Sequence, residues 1–257
     1  RYLAEFVGKL GEIGEECPMF CQLMRREDCQ DIFIKKTLEL LNGVFREDYL
    51  KGENKTYLLY GVTGSGKTEV YMEMIARVIR DGKQAIVLIP EIALTYQTVM
   101  RFYKRFGNRI SILNSRMSNG ERYDQMMRAK EGGIDVMIGP RSALFTPFPN
   151  LGLIVIDEEH ESSYKSEKMP KYHAREVAQE LADMCGASLV LGSATPSVES
   201  MYRAKTGAYR LYEIKQRFGG RKLPEVTIVD MREELKLGND TSLSYALQDA
   251  IRETADA

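Results

Sequence analysis

The chain has 257 residues, of which 44% are hydrophobic and 28% are charged, and its formal net charge is −1. This length fits one large α/β domain with an appendage, or two small domains. The charge balance excludes a strongly basic protein, so any nucleic-acid binding must come from local patches. No apolar stretch approaches the ~20 residues that a membrane span needs.

The N-terminal residues carry neither an initiating methionine nor the apolar segment of a signal peptide. We therefore expect a fragment of a cytoplasmic protein. The cysteines contain no C-x-x-C pair and have no zinc-site spacing, so in a reducing cytosol we expect free thiols. They are Cys17, Cys21, Cys29 and Cys185.

The first segment, residues 1–54, has no strong signature beyond a helix predicted over Ile32–Tyr49, where apolar residues recur with a 3.6-residue period. From residue 55 to residue 205, short apolar strands alternate regularly with amphipathic helices. The predicted strands are Tyr57–Tyr60, Ala85–Ile89, Ile110–Leu113, Val136–Ile138, Leu153–Ile156 and Leu189–Leu191. The predicted helices are Thr68–Arg80, Ala93–Phe106, Gly120–Lys130, Ala174–Met184 and Ser197–Lys205.

This alternation predicts an α/β fold with a mostly parallel sheet and helices on both faces. Ligands of such sheets bind at the carboxyl ends of the strands. After residue 205 the pattern loosens, with short strands predicted at Tyr209–Ile214 and Val226–Val229. A linker at Gly219-Gly220 and a terminal helix over Leu243–Ile251 complete the chain.

A glycine-rich loop directly follows the first predicted strand and matches the phosphate-binding pattern G-x-x-x-x-G-K-[ST]. Glycine lets the backbone wrap with its N–H groups turned toward phosphate oxygens. The lysine can reach the β- and γ-phosphates of ATP, and the threonine hydroxyl can bind Mg²⁺. The loop reads Gly61-Val62-Thr63-Gly64-Ser65-Gly66-Lys67-Thr68.

A second cluster, the acidic box Asp157-Glu158-Glu159-His160, follows the predicted apolar strand Leu153–Ile156. We expect Asp157 to hold Mg²⁺ and Glu158 to orient and deprotonate the attacking water. The role of Glu159 is less constrained by this chemistry. His160 can contact an element that responds to ATP hydrolysis. Together with Lys67, these residues predict an ATP hydrolase.

Several further motifs follow strand ends in a fixed order, and the set resembles the first motor lobe of a superfamily-two helicase. The match is closest to the primosomal replication-restart DNA helicases, the primosomal protein N′ family, over roughly residues 55–235. The motifs that carry the resemblance, besides the phosphate loop and the acidic box, are Pro90-Glu91-Ile92-Ala93-Leu94-Thr95, Gly139-Pro140-Arg141-Ser142-Ala143-Leu144-Phe145, His160–Lys165, Tyr172–Arg175 and Gly192-Ser193-Ala194-Thr195-Pro196-Ser197.

The resemblance implies a RecA-like ATP-binding lobe at 55–205, preceded by residues 1–54 and followed by an inter-lobe connection and the start of a second lobe at 206–257. It implies ATP-driven 3′→5′ unwinding at stalled forks, with Mg²⁺ as cofactor. Single-stranded and forked DNA, primosome proteins and single-stranded-DNA-binding protein are the implied partners, and no membrane is expected. The implied coupling residues are His160, Gly192, Ser193, Ala194 and Thr195. The implied DNA contacts are Pro90, Glu91, Thr95, Arg141, Ser142, Tyr164, Lys165, Tyr172, His173 and Arg175.

The chain departs from the family pattern, and two of the departures bear on the ATP site. The stretch Ile34–Leu38 lacks the glutamine that reads adenine, because Gln30 lies several residues too early. The second lobe, with its arginine finger and its zinc-binding cysteines, is missing, so zinc is not expected and we expect the isolated chain to hydrolyse ATP barely. Two alternatives remain: a non-catalytic remnant that binds nucleotide or DNA, and another phosphate-loop enzyme such as a kinase.

Overall fold

The computed structural model describes residue 45, residues 47–214 and residues 226–255 of the chain. Its centre is a sheet of seven strands in the order β3-β4-β2-β5-β6-β1-β7. Every neighbouring pair of strands is parallel, which confirms the predicted parallel α/β fold. The strands are β1 Thr56–Gly61, β2 Gln84–Leu88, β3 Ile110–Ile112, β4 Val136–Gly139, β5 Leu151–Asp157, β6 Ser188–Ser193 and β7 Arg210–Ile214.

Both faces of this sheet are covered by helices. Successive residues of a strand point to opposite sides, so each strand contributes to a hydrophobic cluster on each face. In β1, Leu59 packs into one hydrophobic cluster and Leu58 into another. The first cluster contains Val70 and Phe102 from helices, and the second contains Ala178. Strands buried on both faces are continuously apolar, which is why the strand prediction succeeded.

The helices also follow the prediction closely. They are α1 Lys67–Arg80, α2 Tyr96–Phe106, α3 Asn119–Lys130, α4 Ala174–Cys185, α5 Val198–Lys205, α6 Met231–Lys236 and α7 Tyr245–Ala255. The start of α2 differs from the expected Ala93, because Glu91–Ala93 form a 3₁₀ turn and Thr95 caps the helix by accepting a hydrogen bond from the Thr98 N–H.

The chain divides into two units, residues 1–220 and residues 221–257. In the first unit the sheet continues past residue 205, because β7 pairs with β1. In the second unit, the strand predicted over Val226–Val229 is wrong: those residues form no regular structure. Val226 and Ile228 are exposed there, and an apolar run forms a strand only where a partner strand and a packing surface are present.

The predicted terminal helix is confirmed as α7. The short helix α6 was not predicted; Asp230 caps its start, but six residues are too few for a visible period. The predicted helix over Ile32–Tyr49 lies mostly outside the described residues, which are helical at position 45 and at 47–50. The linker at Gly219-Gly220 and Cys17, Cys21 and Cys29 also lie outside them, and Cys185 is an exposed free thiol.

The topology brings the motifs to one edge of the sheet. The phosphate loop begins at the last residue of β1, the acidic box begins at the last residue of β5, and Gly192 to Thr195 span the end of β6, which lies between these two strands. The segments at Pro90 and Arg141 follow β2 and β4 at the same edge. None of the helices in the described part of the chain has the length and apolar character that a membrane span requires.

Candidate functional site

The phosphate loop crosses from β1 into α1 with two left-handed glycines. Gly64 and Gly66 have φ angles of 77° and 90°, and open space lies where their Cβ atoms would be. Lys67 begins α1 and donates from Nζ to the Gly61 carbonyl oxygen at 2.8 Å. Around this ammonium, Val62 and Thr68 are half-buried and Thr63 is exposed, while the Ser65 hydroxyl is buried without a hydrogen-bond partner. The loop therefore has the open backbone cradle that a phosphate group needs.

The acidic box approaches this loop from β5. Glu158 has a φ angle of 47°, a left-handed conformation that is uncommon for a residue with a side chain and is often found at functional sites. Its Oε1 lies 3.9 Å from Lys67 Nζ. Burial and the neighbouring Glu158 charge raise the pKa of Asp157. Two carboxylates and one ammonium thus converge at the ends of β1 and β5.

The structure brings one unpredicted residue to Asp157. Tyr71 is buried in α1, and its hydroxyl donates to Asp157 Oδ1 at 3.0 Å. Burial and the Asp157 charge raise the pKa of Tyr71 well above its usual value, so this hydroxyl remains a donor. The only signal in the sequence is its position four residues after Lys67, on the same helix face.

The predicted coupling residues meet at the end of β6. His160 Nδ1 lies 2.7 Å from Ser193 Oγ, and His160 Nε2 lies 3.4 Å from Thr195 Oγ1. Ser193 Oγ also accepts from the Thr195 N–H, and the half-buried Ala194 lies between them. The acidic box and the turn after β6 are therefore joined through His160, as a coupling element requires; the coupling role itself remains a prediction.

Glu159 is not the loosely constrained residue that the sequence indicated. Its side chain is buried, and Oε1 accepts from the Ser197 N–H at 2.7 Å. Oε2 accepts from Ser200 Oγ at 2.9 Å and from Arg175 Nη1 at 3.1 Å. The carboxylate fastens the start of α5 and the start of α4 to the acidic box. Nothing local in the sequence distinguishes it from the neighbouring Glu158, the predicted general base.

Two of the residues predicted to contact DNA, Tyr164 and Arg175, are buried in this structure. The Tyr164 hydroxyl donates to the Asp157 carbonyl oxygen at 2.6 Å and lies 3.1 Å from the Leu88 carbonyl oxygen, so its ring is packed inward and is not exposed for stacking on a base. Arg175 is 7% exposed and paired with Glu159, so it is not a cation that follows phosphates on the surface. Both residues lie in a segment whose mixture of aromatic and basic residues is typical of an exposed loop.

The remainder of that loop is open. Lys165 pairs with His173 in an isolated antiparallel bridge, and the exposed Lys168 and Lys171 lie between them. His173 Nδ1 accepts from the Arg175 N–H and caps α4, and burial and the Arg175 charge lower the pKa of His173. The ring of Tyr172 packs edge-on against the exposed Phe145, with centroids 5.4 Å apart.

The other predicted DNA contacts lie on the two turns after β2 and β4. Pro90 is buried, Thr95 is exposed, and Glu91 Oε1 accepts from the Ser115 N–H at 3.0 Å. Hydrogen bonding from the Ser115 side chain, and then from its backbone, lowers the pKa of Glu91. Arg141 donates from Nη1 to the Ser163 and Lys165 carbonyl oxygens at 2.7 and 2.8 Å and so holds the loop after the acidic box. Ser142 is half-buried beside it. Their contact with DNA stays a prediction.

The donor set fits a nucleotide-bound magnesium ion better than a metal held by protein alone. Among the described residues, no group of three or more His, Cys, Asp or Glu side chains could hold a metal ion. Mg²⁺ in nucleotide sites is normally held by one or two protein ligands, phosphates and waters. The predicted ligands Asp157 and Thr68, at the ends of β5 and of the phosphate loop, would supply that number.

Comparison with known proteins gives matches along most of the chain. A family model described as DEAD/DEAH box helicase matches residues 44–204. The replication restart protein PriA of Bacillus subtilis is 48% identical over 237 residues, which are 89% of this chain and 29% of that protein. PriA of Synechocystis is 50% identical over 201 residues, which are 76% of this chain and 24% of that protein. The chain thus spans less than a third of the length of these relatives.

Among solved structures, RecG bound to a three-way DNA junction matches with a TM-score of 0.59 and 24% identity. The match covers 80% of this chain and 28% of RecG. At this identity the likeness concerns the fold, and it supports the RecA-like arrangement of the parallel sheet.

Proposed function

Because this chain belongs to the DEAD/DEAH box helicase family, we propose that it is the ATP-binding lobe of a 3′→5′ DNA helicase that acts in replication restart. The observation that carries the proposal is the convergence of Lys67, Asp157, Glu158 and the turn after β6 at one edge of the sheet. Lys67 binds the phosphates of ATP, Asp157 and Thr68 hold Mg²⁺, and Glu158 accepts a proton from the attacking water.

The proposed site links nucleotide chemistry to DNA through one contact of the acidic box and one contact of the loop that follows it. His160 contacts the turn after β6, and Arg141 fastens the loop that follows the acidic box. A kinase needs no such connection, whereas a motor must pass the state of its nucleotide to the strand it moves on. Phosphate release that single-stranded DNA stimulates would distinguish a helicase from a kinase, which responds to its acceptor, and from a remnant, which responds to neither.

The names of the relatives support replication restart as the process, and the proposed substrates are single-stranded and forked DNA. By family resemblance, primosome proteins and single-stranded-DNA-binding protein are proposed partners. The proposed location is the cytoplasm, where bacterial DNA is replicated.

Lys67→Ala tests the nucleotide site. Removal of the ammonium leaves phosphate charge uncompensated, and a charge-assisted hydrogen bond contributes roughly 1.5–3 kcal/mol, so the affinity for MgATP should fall roughly 10- to 100-fold. The measurement is a titration with a fluorescent ATP analogue, and Lys130→Ala, an exposed lysine at the end of α3, is the matched control. Equal affinity in wild type and Lys67→Ala would refute the phosphate-loop assignment.

A second prediction concerns the open part of the loop after the acidic box. Replacing Phe145 and Tyr172 with alanine should weaken binding of a labelled oligothymidylate, because each base stacked on an aromatic ring contributes roughly 1–3 kcal/mol. Affinity for nucleotide should not change. The exposed Tyr123 of α3 offers a matched control as Tyr123→Ala.

Salt dependence separates the aromatic contribution from the electrostatic one. Replacing Lys165, Lys168 and Lys171 with alanine should flatten the dependence of affinity on salt, by about 0.7 in logarithmic slope for each phosphate that a lysine no longer neutralises. The aromatic double variant should keep the wild-type slope. Wild-type affinity in both sets of variants would show that this loop does not bind DNA.

A further inference from the structure

Tyr71 connects the helix of the phosphate loop to the acidic box. It lies one helical turn after Lys67, so both side chains project from the same face of α1. Its hydroxyl donates to Asp157 Oδ1 at 3.0 Å, across 86 residues of chain. One carboxylate oxygen of Asp157 is thereby fixed by a buried donor that belongs to the nucleotide-binding helix.

The end of β6 leaves space for this tyrosine at Gly192. A Cβ atom at Gly192 would lie 1.5 Å from the Tyr71 hydroxyl oxygen and 2.6 Å from its ring carbon Cζ. These separations are far below any van der Waals contact, so a larger residue at position 192 must displace the tyrosine. Gly192 also accepts the Glu159 N–H through its carbonyl oxygen, which keeps this strand end beside the acidic box.

We propose that Tyr71 is a positioning residue for magnesium: its hydroxyl orients the Asp157 carboxylate, and Gly192 is glycine because it provides the space for that hydroxyl. This inference rests on the proposed function, since it assigns a role within the same MgATP site. A hydrogen bond to one carboxylate oxygen fixes the rotation of the group and directs the other oxygen toward the metal and its water shell.

Substitution of Tyr71 distinguishes a role in stability from a role in positioning the Asp157 carboxylate. Tyr71 is part of the hydrophobic cluster on its face of the sheet, and a phenylalanine ring fills the same volume. Tyr71→Phe therefore keeps the packing and removes one hydrogen bond. If the hydroxyl served only stability, the variant would unfold at lower temperature but would respond to magnesium as wild type does.

The experiment is a titration of Mg²⁺ in the presence of a fluorescent ATP analogue, with the 257-residue chain and its variants. Loss of a partner that orients a metal ligand typically weakens metal binding about 10- to 100-fold, and we expect a shift of this size in the Mg²⁺ midpoint for Tyr71→Phe. Nucleotide affinity in EDTA should match wild type. The matched control is Tyr57→Phe, which removes another buried tyrosine–aspartate hydrogen bond of 3.0 Å, from Tyr57 to Asp48 Oδ2.

A second variant approaches the same contact from β6. Gly192→Ala must displace the Tyr71 hydroxyl and should shift the Mg²⁺ midpoint in the same direction. A wild-type midpoint for Tyr71→Phe would overturn the inference, whatever Gly192→Ala does, while leaving the proposed function intact. Failure of the wild-type chain to bind nucleotide with or without Mg²⁺ would overturn both.

Discussion

Glu158→Gln is expected to reduce ATP hydrolysis by about 10²–10⁴-fold, the contribution typical of a general base, while affinity for MgATP changes little. The amide keeps the shape of the side chain but cannot accept a proton from the attacking water. The left-handed backbone at Glu158 is held by two hydrogen bonds, from the Glu159 N–H to the Gly192 carbonyl oxygen and from the Glu161 N–H to the Glu158 carbonyl oxygen. The glutamine should therefore occupy the same position.

The measurement is single-turnover phosphate release with the chain in excess over ATP, a format that registers slow hydrolysis. Nucleotide affinity is measured separately, so that a binding defect is not mistaken for a chemical one. Glu161→Gln removes a negative charge three residues away and is the matched control. Hydrolysis at the wild-type rate in Glu158→Gln would place the general base elsewhere.

The parts of the site that could be predicted from sequence are those with strict local requirements. Gly64 and Gly66 are needed because the loop visits left-handed conformations, and Lys67 follows them at a fixed spacing. The position of Asp157 at the edge of the sheet could be predicted because it directly follows the apolar run of a buried strand. In each case a few consecutive residues determine the backbone conformation and the position of the side chain.

Contacts between distant segments could not be predicted in the same way. Tyr71 lies on the apolar face of α1, where a core residue gives the same pattern as a ligand-orienting one. The burial and orientation of the Glu159 carboxylate depend on hydrogen bonds from Ser197 and Arg175, which lie 38 and 16 residues further along the chain. The ring of Tyr164 points inward because a 3₁₀ turn over Ser162–Tyr164 follows the acidic box, and the aromatic and basic composition of the segment does not reveal that turn.

Arg175→Ala is expected to destabilise the fold by about 3–5 kcal/mol, because removal of one partner leaves a buried charge unpaired. Glu159 is buried, and Arg175 Nη1 contacts Glu159 Oε2, Ser197 Oγ and Ser200 Oγ at 3.1, 2.7 and 3.0 Å. Urea unfolding followed by circular dichroism measures the change. The matched control is Arg101→Ala. Arg101 pairs with Glu69 at 2.6 Å, but its side chain is 54% exposed. Its removal should therefore lower the free energy of unfolding by only about 0–1 kcal/mol.

A double variant separates the effect of the unpaired Glu159 carboxylate on stability from the effect of losing the packing of the Arg175 side chain. In Glu159→Gln combined with Arg175→Ala, the neutral amide can still accept the Ser197 N–H but carries no charge into the core. If the unpaired carboxylate causes the destabilisation, the double variant should be more stable than Arg175→Ala alone, a non-additive result for two residues in contact. A double variant as unstable as the sum of the two single ones would assign the destabilisation to packing. Glu159, the third residue of the acidic box, would then stabilise the fold through the packing of α4 and α5 around it, while the chemistry is proposed for Glu158 beside it.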